Sequence, residues 1–410
     1  EYPRDLAEDP KTTHHWSEII IAPDNEHIAW TLLRSDIGAA SAIGRLTRRE
    51  DRYRIEDTQI ISTLESMKAD SKRPGFLIPQ VVRGGELKQF VRGGTAISLV
   101  GMAKGSRLTD SVVQDLCSEQ MDRITNTPGY DETTIFSPDE RLGLVMSCRA
   151  SPKTDPAIFG LMPRPSYGIQ GMIMCLYMYA VAGVRKFRKG NIGPVLIDIE
   201  RSRSDEHYRG TALNDPDEQW VYYSPMSWHP GSKKVMWPEG LRGTGEMRIR
   251  IAELPDYVPG PPVAVQKTPE HIPYAEKDIS KLQSLPAFST EGKIAGKHSG
   301  HIEYKRQGKE DMPGMEGSTE AVYVNFSDDG KNFYNGYEKT IYSVIAESVY
   351  EADLAMSGGE TGEMKLRASF SKIAGNAPRL LFEKAPDGKP KSYGYASYKG
   401  ITLNIEDMLE

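Results

Sequence analysis

The chain has 410 residues, a formal net charge of -6 at pH 7 and 26% charged residues. This charge supplies no basic surface for DNA or RNA, so we expect no nucleic-acid partner. The 38 glycines, 27 prolines and 20 tyrosines favour many short strands and turns over a helical fold. The composition therefore predicts an all-β protein, and the length allows a single large domain.

One type of hairpin recurs along the chain. An early example joins Ile19–Ile21 to His27–Leu33, and the clearest spans Asp131–Arg149 around the turn Ser137-Pro138-Asp139-Glu140. Proline fixes φ in such a turn, and aspartate bonds the backbone two residues on. Related turns occur at Ala22-Pro23-Asp24, His229-Pro230-Gly231, Ser327-Asp328-Asp329-Gly330 and Ala385-Pro386-Asp387-Gly388. We therefore expect a repeated antiparallel unit.

A second turn type carries the pattern Gly-Glu-apolar-basic. It occurs in the segments Gly84-Gly85-Glu86-Leu87-Lys88, Thr244–Arg250 and Thr361–Arg367. Alternation after the turn places the basic residues on one face, so we predict solvated edge strands at all three places. The first of these turns is predicted to join Phe76–Val82 to Leu87–Val91. Ser111–Ile124 has apolar residues at helical spacing, and we predict one short helix there.

Two stretches interrupt the hairpin pattern, at 150–193 and 254–300. The first contains four prolines and then the apolar run Gly171–Val184. Its 14 residues are fewer than the ~20 needed to cross a bilayer as a helix, so we predict a buried core segment and no membrane span. The second is rich in proline and mostly extended. We predict one domain, 1–410, in which both stretches are insertions or irregular excursions.

The segment Ser137–Val145 is similar to the inner hairpin of TolB-like β-propeller blades, and Gly84–Lys88 resembles their outer turn. This resemblance implies an all-β fold, a TolB-like β-propeller of six to eight four-stranded blades with long loop insertions and one short helix. The inner turns lie roughly 100 residues apart, whereas a blade needs ~40–45. We therefore expect unmarked blades and insertions between them.

A second resemblance is to fungal saponin hydrolases. It rests on His14-His15-Trp16-Ser17-Glu18, the block Phe136–Arg149, Ser227-Trp228-His229-Pro230 and Trp237-Pro238-Glu239. The resemblance implies a secreted glycosidase that removes a glucuronic acid-containing sugar from triterpenoid saponins, and it assigns no catalytic roles. The chain begins at Glu1 without a charged-then-apolar leader, so we expect a processed, secreted protein.

Propeller geometry narrows the search for a site. Residues just before each inner strand and just after its partner surround the central channel, and we expect both turn types at the opposite end. A glycosidase needs one protonated and one ionised carboxyl group close together. The carboxylates at such positions are Glu18, Asp131, Glu132 and Glu239, and we predict that the catalytic pair is among them.

The same end of the predicted ring is rich in groups that bind sugars. Arginines can bind a uronate carboxylate through a planar fork, and aromatic rings stack on sugars. The predicted substrate-binding residues are His14, His15, Trp16, Arg34, Arg149, Tyr222, Tyr223, His229, Trp237 and Arg242. We expect a small glycoside or glycan as the partner, and no cofactor or metal.

Two alternatives stay open. The first is a uronate polysaccharide lyase, in which histidines from separate blades hold a metal or act as the base. These histidines are His14, His15 and His229, with His298 and His301. A non-catalytic propeller that binds a protein or a glycan is the other alternative. The sequence contains no Gly-x-Ser-x-Gly elbow, phosphate-binding loop or His-Glu-x-x-His motif, which disfavours serine hydrolases, nucleotide enzymes and zincins.

Overall fold

The computed structural model of the chain describes residues 12–13, 18–34, 38–149, 156–187, 192–214, 219–282, 289–309, 314–373 and 377–408. Strands dominate these residues and the helices are short, so the predicted all-β class is confirmed. None of the described helices combines the length and the apolar character that crossing a membrane requires.

Four sheets of blade size follow one another along the chain. The first contains β1 (Thr12–Thr13), β2 (Ile19–Ile21), β3 (His27–Arg34), β4 (Gly38–Arg49) and β5 (Arg52–Ile60). Strands β6 (Met67–Ala69) and β7 (Phe76–Pro79) join another sheet. The second sheet contains β8 (Glu86–Val91), β9 (Ala96–Gly101), β10 (Asp110–Asp115) and β11 (Met121–Arg123).

The next two sheets repeat this plan. The third contains β12 (Asp131–Phe136), β13 (Leu142–Ser147), β14 (Gly193–Asp198) and β15 (Thr211–Ala212). The fourth contains β16 (Trp220–Tyr222), β17 (Ser227–Trp228), β18 (Lys234–Leu241) and β19 (Met247–Glu253). The strands β2, β8, β12 and β17 contact one another in chain order, as the inner strands of neighbouring propeller blades do.

A ten-stranded sheet holds most of the second half of the chain. Eight strands pair in chain order, and β7 and then β6 extend the sheet beyond the first of them. The eight are β20 (Ser289–Ala295), β21 (Ser299–Gly308), β22 (Gly317–Ser327), β23 (Asn332–Tyr342), β24 (Ser348–Gly358), β25 (Gly362–Phe370), β26 (Tyr393–Tyr398) and β27 (Ile401–Asn404). The described residues thus do not confirm the predicted count of six to eight four-stranded blades.

Short helical segments cover one face of the large sheet. They are α1 (Ala157–Gly160), a 3-10 turn (Gln170–Met172), α2 (Ile173–Met178), a π-helical turn (Tyr179–Gly183) and α3 (Val184–Phe187), and α4 (Ile199–Ser204) follows β14. A side chain on Gly171 would lie 2.2 Å from the Tyr342 ring, so glycine lets the backbone approach the sheet closely. The predicted burial of the apolar run is confirmed, whereas the single-domain division stays a prediction.

Several local predictions require correction. The predicted hairpins at 19–33 and 131–149 are present, but Gly84-Gly85-Glu86 is not an outer turn, because it leads into the inner strand β8. Of the three Gly-Glu strands, β8 and β19 are end strands of their sheets, whereas β25 lies between β24 and β26. The predicted solvated face is wrong for β8, whose residues are mostly buried. The predicted helix at Ser111–Ile124 is wrong. The apolar side chains of this segment pack into two hydrophobic cores, one on each face of β10. Apolar residues on both faces give the sequence a spacing that resembles that of a helix.

Candidate functional site

Three carboxylates from three different sheets surround one buried ammonium group. Lys88 Nζ lies 2.9 Å from Glu86 Oε1, 3.3 Å from Glu18 Oε2 and 3.8 Å from Glu132 Oε1. Glu18 immediately precedes β2, Glu86 opens β8 and Glu132 is the second residue of β12. Adjacent inner strands therefore bring the four side chains together, and we call them the carboxylate cluster.

Glu132 is the most perturbed acid of the carboxylate cluster. Only 3% of the residue is exposed, and this burial raises the pKa of its carboxyl to about 7 although the Lys88 ammonium opposes the shift. The Tyr130 hydroxyl donates to Oε2 at 3.0 Å, and the Thr133 hydroxyl donates to Oε1 at 3.3 Å. Glu132 can therefore gain or lose a proton near neutral pH.

Lys88 stays charged under the same conditions. Burial alone would lower its pKa, but the carboxylates of Glu132, Glu86 and Glu18 outweigh that effect, and its pKa is raised. An ammonium held among carboxylates stabilises their ionised forms. The carboxylate cluster thus combines one permanent cation with an acid that titrates near pH 7.

A cavity of about 300 Å³ opens beside the carboxylate cluster. Glu86 and Tyr130 line it, and they also contact Lys88 and Glu132 respectively. The cavity wall also includes Tyr177 of α2. A ligand in this cavity can therefore reach Glu86 directly and approaches Glu132 from the side of Tyr130.

Two glycines shape the wall of this cavity. Gly84 has φ of +83°, and a side chain there would lie 1.9 Å from the Ser62 hydroxyl oxygen. A side chain on Gly85 would lie 2.0 Å from the carbonyl oxygen of Val100. Only glycine fits such contacts without moving the backbone. The pair therefore fixes the position of Glu86, the residue that follows it.

Arg185 of α3 lies near the carboxylate cluster and forms no ion pair with a carboxylate in the part of the chain that the structure describes. Its guanidinium carbon lies 4.5 Å from the ring centre of Tyr223 and 5.5 Å from that of Tyr222. Its Nη2 donates to Met146 Sδ at 3.6 Å, and its buried Nε has no hydrogen-bond partner among the described residues. Its charge nevertheless lowers the pKa of Glu132. Arg185 is thus a second cation close enough to act on Glu132, although it does not line the 300 Å³ cavity.

Two of the predicted catalytic carboxylates belong to other ion pairs. Asp131 Oδ2 lies 2.6 Å from Arg149 Nη2, and both side chains are buried. Glu239 accepts from Trp237 Nε1 at 2.9 Å and lies 2.7 Å from Arg248 Nη2. Of the four predicted carboxylates, the structure brings Glu18 and Glu132 together at Lys88 and holds the other two elsewhere.

The predicted substrate-binding residues also lie in different parts of the structure. Arg34 is buried and donates to the Thr12 hydroxyl and the Leu282 carbonyl, while Arg242 donates to the carbonyls of Val184 and Arg185. His229 is exposed, and its Nδ1 accepts from the Gly231 amide within a turn. Tyr222 and Tyr223 join the site through Arg185. His14, His15 and Trp16 lie outside the described residues.

Two histidines of the lyase alternative, His298 and His301, lie beside and on β21. His301 Nε2 lies 3.5 Å from Glu303 Oε1 on β21, and the His298 amide donates to the Ser327 carbonyl. In the ranges that the structure covers, no three His, Cys, Asp or Glu side chains form a group that could hold a metal ion.

Four residues of this site are not among those predicted from the sequence: Glu86, Lys88, Tyr177 and Arg185. Their sequence pattern predicts an outer turn at Glu86 and a solvated strand at Lys88. The useful signal was a lysine in a short strand whose other members include Leu87, Phe90 and Val91. A charged residue in an apolar inner strand needs buried partners, and neighbouring inner strands supply them.

Comparison with known proteins finds similarity at the level of structure. No family model and no curated protein matches the sequence. TolB from Acinetobacter baumannii matches at 12% identity and a TM-score of 0.34, over 77% of this chain and 52% of that chain. Putative TolB from Agrobacterium tumefaciens matches at 12% identity and a TM-score of 0.30, over 59% of this chain and 78% of that chain.

A third solved structure matches over nearly its whole length. The β-propeller domain of the Trilobed protease from Pyrococcus furiosus has 9% identity and a TM-score of 0.24, over 94% of this chain and 93% of that chain. The chain spans about half the length of the Acinetobacter protein. It is similar to TolB and to other β-propeller proteins.

Proposed function

We propose that the carboxylate cluster is the acid–base centre of a glycoside hydrolase that removes a glucuronic acid-containing sugar from a saponin-like glucuronide. The supporting observation is the contrast within the cluster: Glu132 has a pKa of about 7, while Lys88 lies 2.9 Å from Glu86. Glycosidases use one carboxyl that stays protonated and one that stays ionised. The expected secretion of the protein is part of this proposal.

The two carboxyls take different roles. Glu132 donates its proton to the leaving oxygen, because its raised pKa keeps a large protonated fraction near pH 7. Glu86, which lines the cavity and lies 2.9 Å from Lys88 Nζ, attacks the anomeric carbon. Water, deprotonated by Glu132, then hydrolyses the glycosyl ester and releases the sugar. Both carboxyls lie within 3.8 Å of one nitrogen. This shared contact favours the short carboxyl separation, ~5 Å, of retaining enzymes.

Arg185 recognises the uronate in this proposal. A guanidinium binds a carboxylate through two parallel hydrogen bonds, and the rings of Tyr222 and Tyr223 hold this guanidinium in place. Tyr177 in the cavity wall offers a ring for stacking on the sugar. The arginine that binds the uronate is therefore Arg185 rather than the predicted Arg34 or Arg242, whose nitrogens bond backbone carbonyls.

The test is incubation of the protein with a glucuronide saponin and with the matching glucoside saponin. Release of free glucuronic acid from the glucuronide supports the proposal. An unsaturated uronide absorbing in the ultraviolet identifies the lyase alternative instead. Binding of the saponin without either product identifies a non-catalytic protein. The Glu132→Gln variant serves as the inactive control in each assay.

A further inference from the structure

A second cavity, of about 350 Å³, lies where the third sheet meets the end of the chain. Its wall includes Arg149, which follows β13, and the loop after α4 through Glu206 and Arg209. The hairpin β26–β27 adds Tyr398, Lys399 and Ile401. This volume falls within the range of small-molecule sites, ~300–1,000 Å³. Nothing in the proposed glycosidase reaction uses this cavity.

Three of the cations in its wall already have carboxylate partners. Arg149 pairs with Asp131 at 2.6 Å. Glu206 accepts from Arg107 at 2.5 Å and lies 3.2 Å from Lys399 Nζ. Lys399 also lies 3.1 Å from Glu360. These pairs neutralise one another and hold the wall in one arrangement.

Arg209 is the cation left over. It is exposed, and its Nη1 donates to the Arg149 carbonyl oxygen at 2.5 Å. Within the described ranges it forms no ion pair with a carboxylate. A carbonyl bond orients a guanidinium without neutralising it, so one positive charge remains at the rim of the cavity.

The rest of the wall is largely apolar. Leu161, Ile401, Leu403 and Ala157 line it, and such side chains favour hydrocarbon over water. We propose that this cavity binds an amphipathic organic monoanion. Its carboxylate meets Arg209, and its hydrocarbon part packs against Leu161, Ile401 and Leu403.

Gly129 offers a way to fill the cavity without disturbing the wall. It lines the cavity, and a side chain added there meets no atom within 4 Å. Gly129→Leu therefore occupies the ligand space. Gly245 likewise meets nothing within 4 Å and lies in the turn before β19, so Gly245→Leu is the matched control.

The experiment measures binding of octanoate to the full chain by calorimetry, with octylammonium and inorganic phosphate as comparison ligands. We expect octanoate to bind, octylammonium and phosphate not to bind, and Gly129→Leu to abolish binding while Gly245→Leu preserves it. Arg209→Gln should weaken octanoate binding about tenfold or more, because a charge-assisted hydrogen bond is lost. Arg48→Gln, an exposed change on β4, should not.

Three results would overturn the proposal. They are no binding of octanoate to the wild-type chain, octanoate binding that survives Gly129→Leu, and equal binding of octanoate and octylammonium. Arg209 is exposed, so its substitution leaves the core intact, and circular dichroism of each variant confirms that the chain is folded before binding is scored.

Discussion

Asp131 and Glu132 are adjacent in β12, yet their carboxylates lie in two different ion-pair systems. Asp131 Oδ2 is 2.6 Å from Arg149, and Glu132 Oε1 is 3.8 Å from Lys88. Successive side chains of a strand point to opposite faces, so neighbours in sequence face different partners. The two residues therefore cannot act as a catalytic pair on one glycosidic bond.

Glu132→Gln should lower kcat for the glucuronide by about 10²–10⁴, because an amide cannot deliver the proton of a general acid. The Tyr130 hydroxyl can still donate to the amide oxygen, so the fold should be kept. Wild-type activity should fall as pH rises above about 7, where Glu132 loses its proton. Glu303→Gln, an exposed change on β21, is the control. A Glu132→Gln variant with wild-type kcat removes this residue from the reaction.

The free energy of unfolding should fall as pH rises from 5 to 8. Burial raises the pKa of both Glu132 and Asp110 to about 7. A carboxyl group whose pKa is raised in the folded state stabilises the fold at pH values below its pKa in the unfolded chain. This stabilisation is lost as the pH rises through its pKa in the folded state. Shifts of this size correspond to roughly 3 kcal/mol for Glu132 and roughly 4 kcal/mol for Asp110. Urea unfolding at both pH values measures the change.

Single amide variants separate the contributions of Glu132 and Asp110 to this pH dependence. Glu132→Gln and Asp110→Asn should each flatten part of this pH dependence, because neither amide titrates. The double variant should be nearly independent of pH over the same range. A double variant that keeps the full wild-type slope would assign the dependence to other groups.

Lys88→Met should destabilise the protein by about 3–5 kcal/mol at pH 8, because it leaves buried carboxylates without their cation. The loss should be smaller at pH 5, where Glu132 is protonated in any case. Lys68→Met, at an exposed position on β6, should change little. Restoring stability by combining Lys88→Met with Glu132→Gln would identify the repulsion among carboxylates as the cause. Equal losses at both pH values would contradict this account.

Arg185→Gln should raise KM for the glucuronide saponin about 10- to 100-fold and leave the KM of the glucoside saponin nearly unchanged. In the proposal, the uronate carboxylate is the one group of the substrate that the guanidinium contacts, and a charged hydrogen bond contributes about 1.5–3 kcal/mol. Arg185→Lys should recover part of the affinity, since the charge remains but the planar fork is lost. Equal KM increases for both substrates would show that Arg185 positions the site rather than recognising the uronate.

The hairpins and the general place of Glu132 were predictable from sequence because they depend on local rules. Ser137-Pro138-Asp139-Glu140 specifies its turn, with the Ser137 hydroxyl donating to Asp139 Oδ1 at 2.6 Å. A strand that follows a known turn has a known direction. The position of Glu132 at the start of an inner strand followed from that direction alone.

The partners of Glu132 were not predictable in the same way. Lys88 has the local pattern of a solvated edge strand, and only the packing of β8 between β2 and β12 buries it. The ten-stranded sheet is hidden for a similar reason. A hairpin such as β24–β25 has the same alternation of apolar and polar residues in a blade and in a continuous sheet, because this alternation depends only on which face of each strand is buried.

The carboxylate cluster draws its acids from three separate sheets: Glu18 from the first, Glu86 from the second and Glu132 from the third. A single sheet folded alone cannot bring acids from two sheets to Lys88 Nζ. The raised pKa of Glu132 therefore exists only after the sheets dock. Asp110 is protonated over the same pH range, so the infrared carbonyl band that Glu132→Gln removes is the one that reports docking of the sheets. It should persist at pH 6 in the assembled protein and vanish when the sheets separate, before the strands themselves melt.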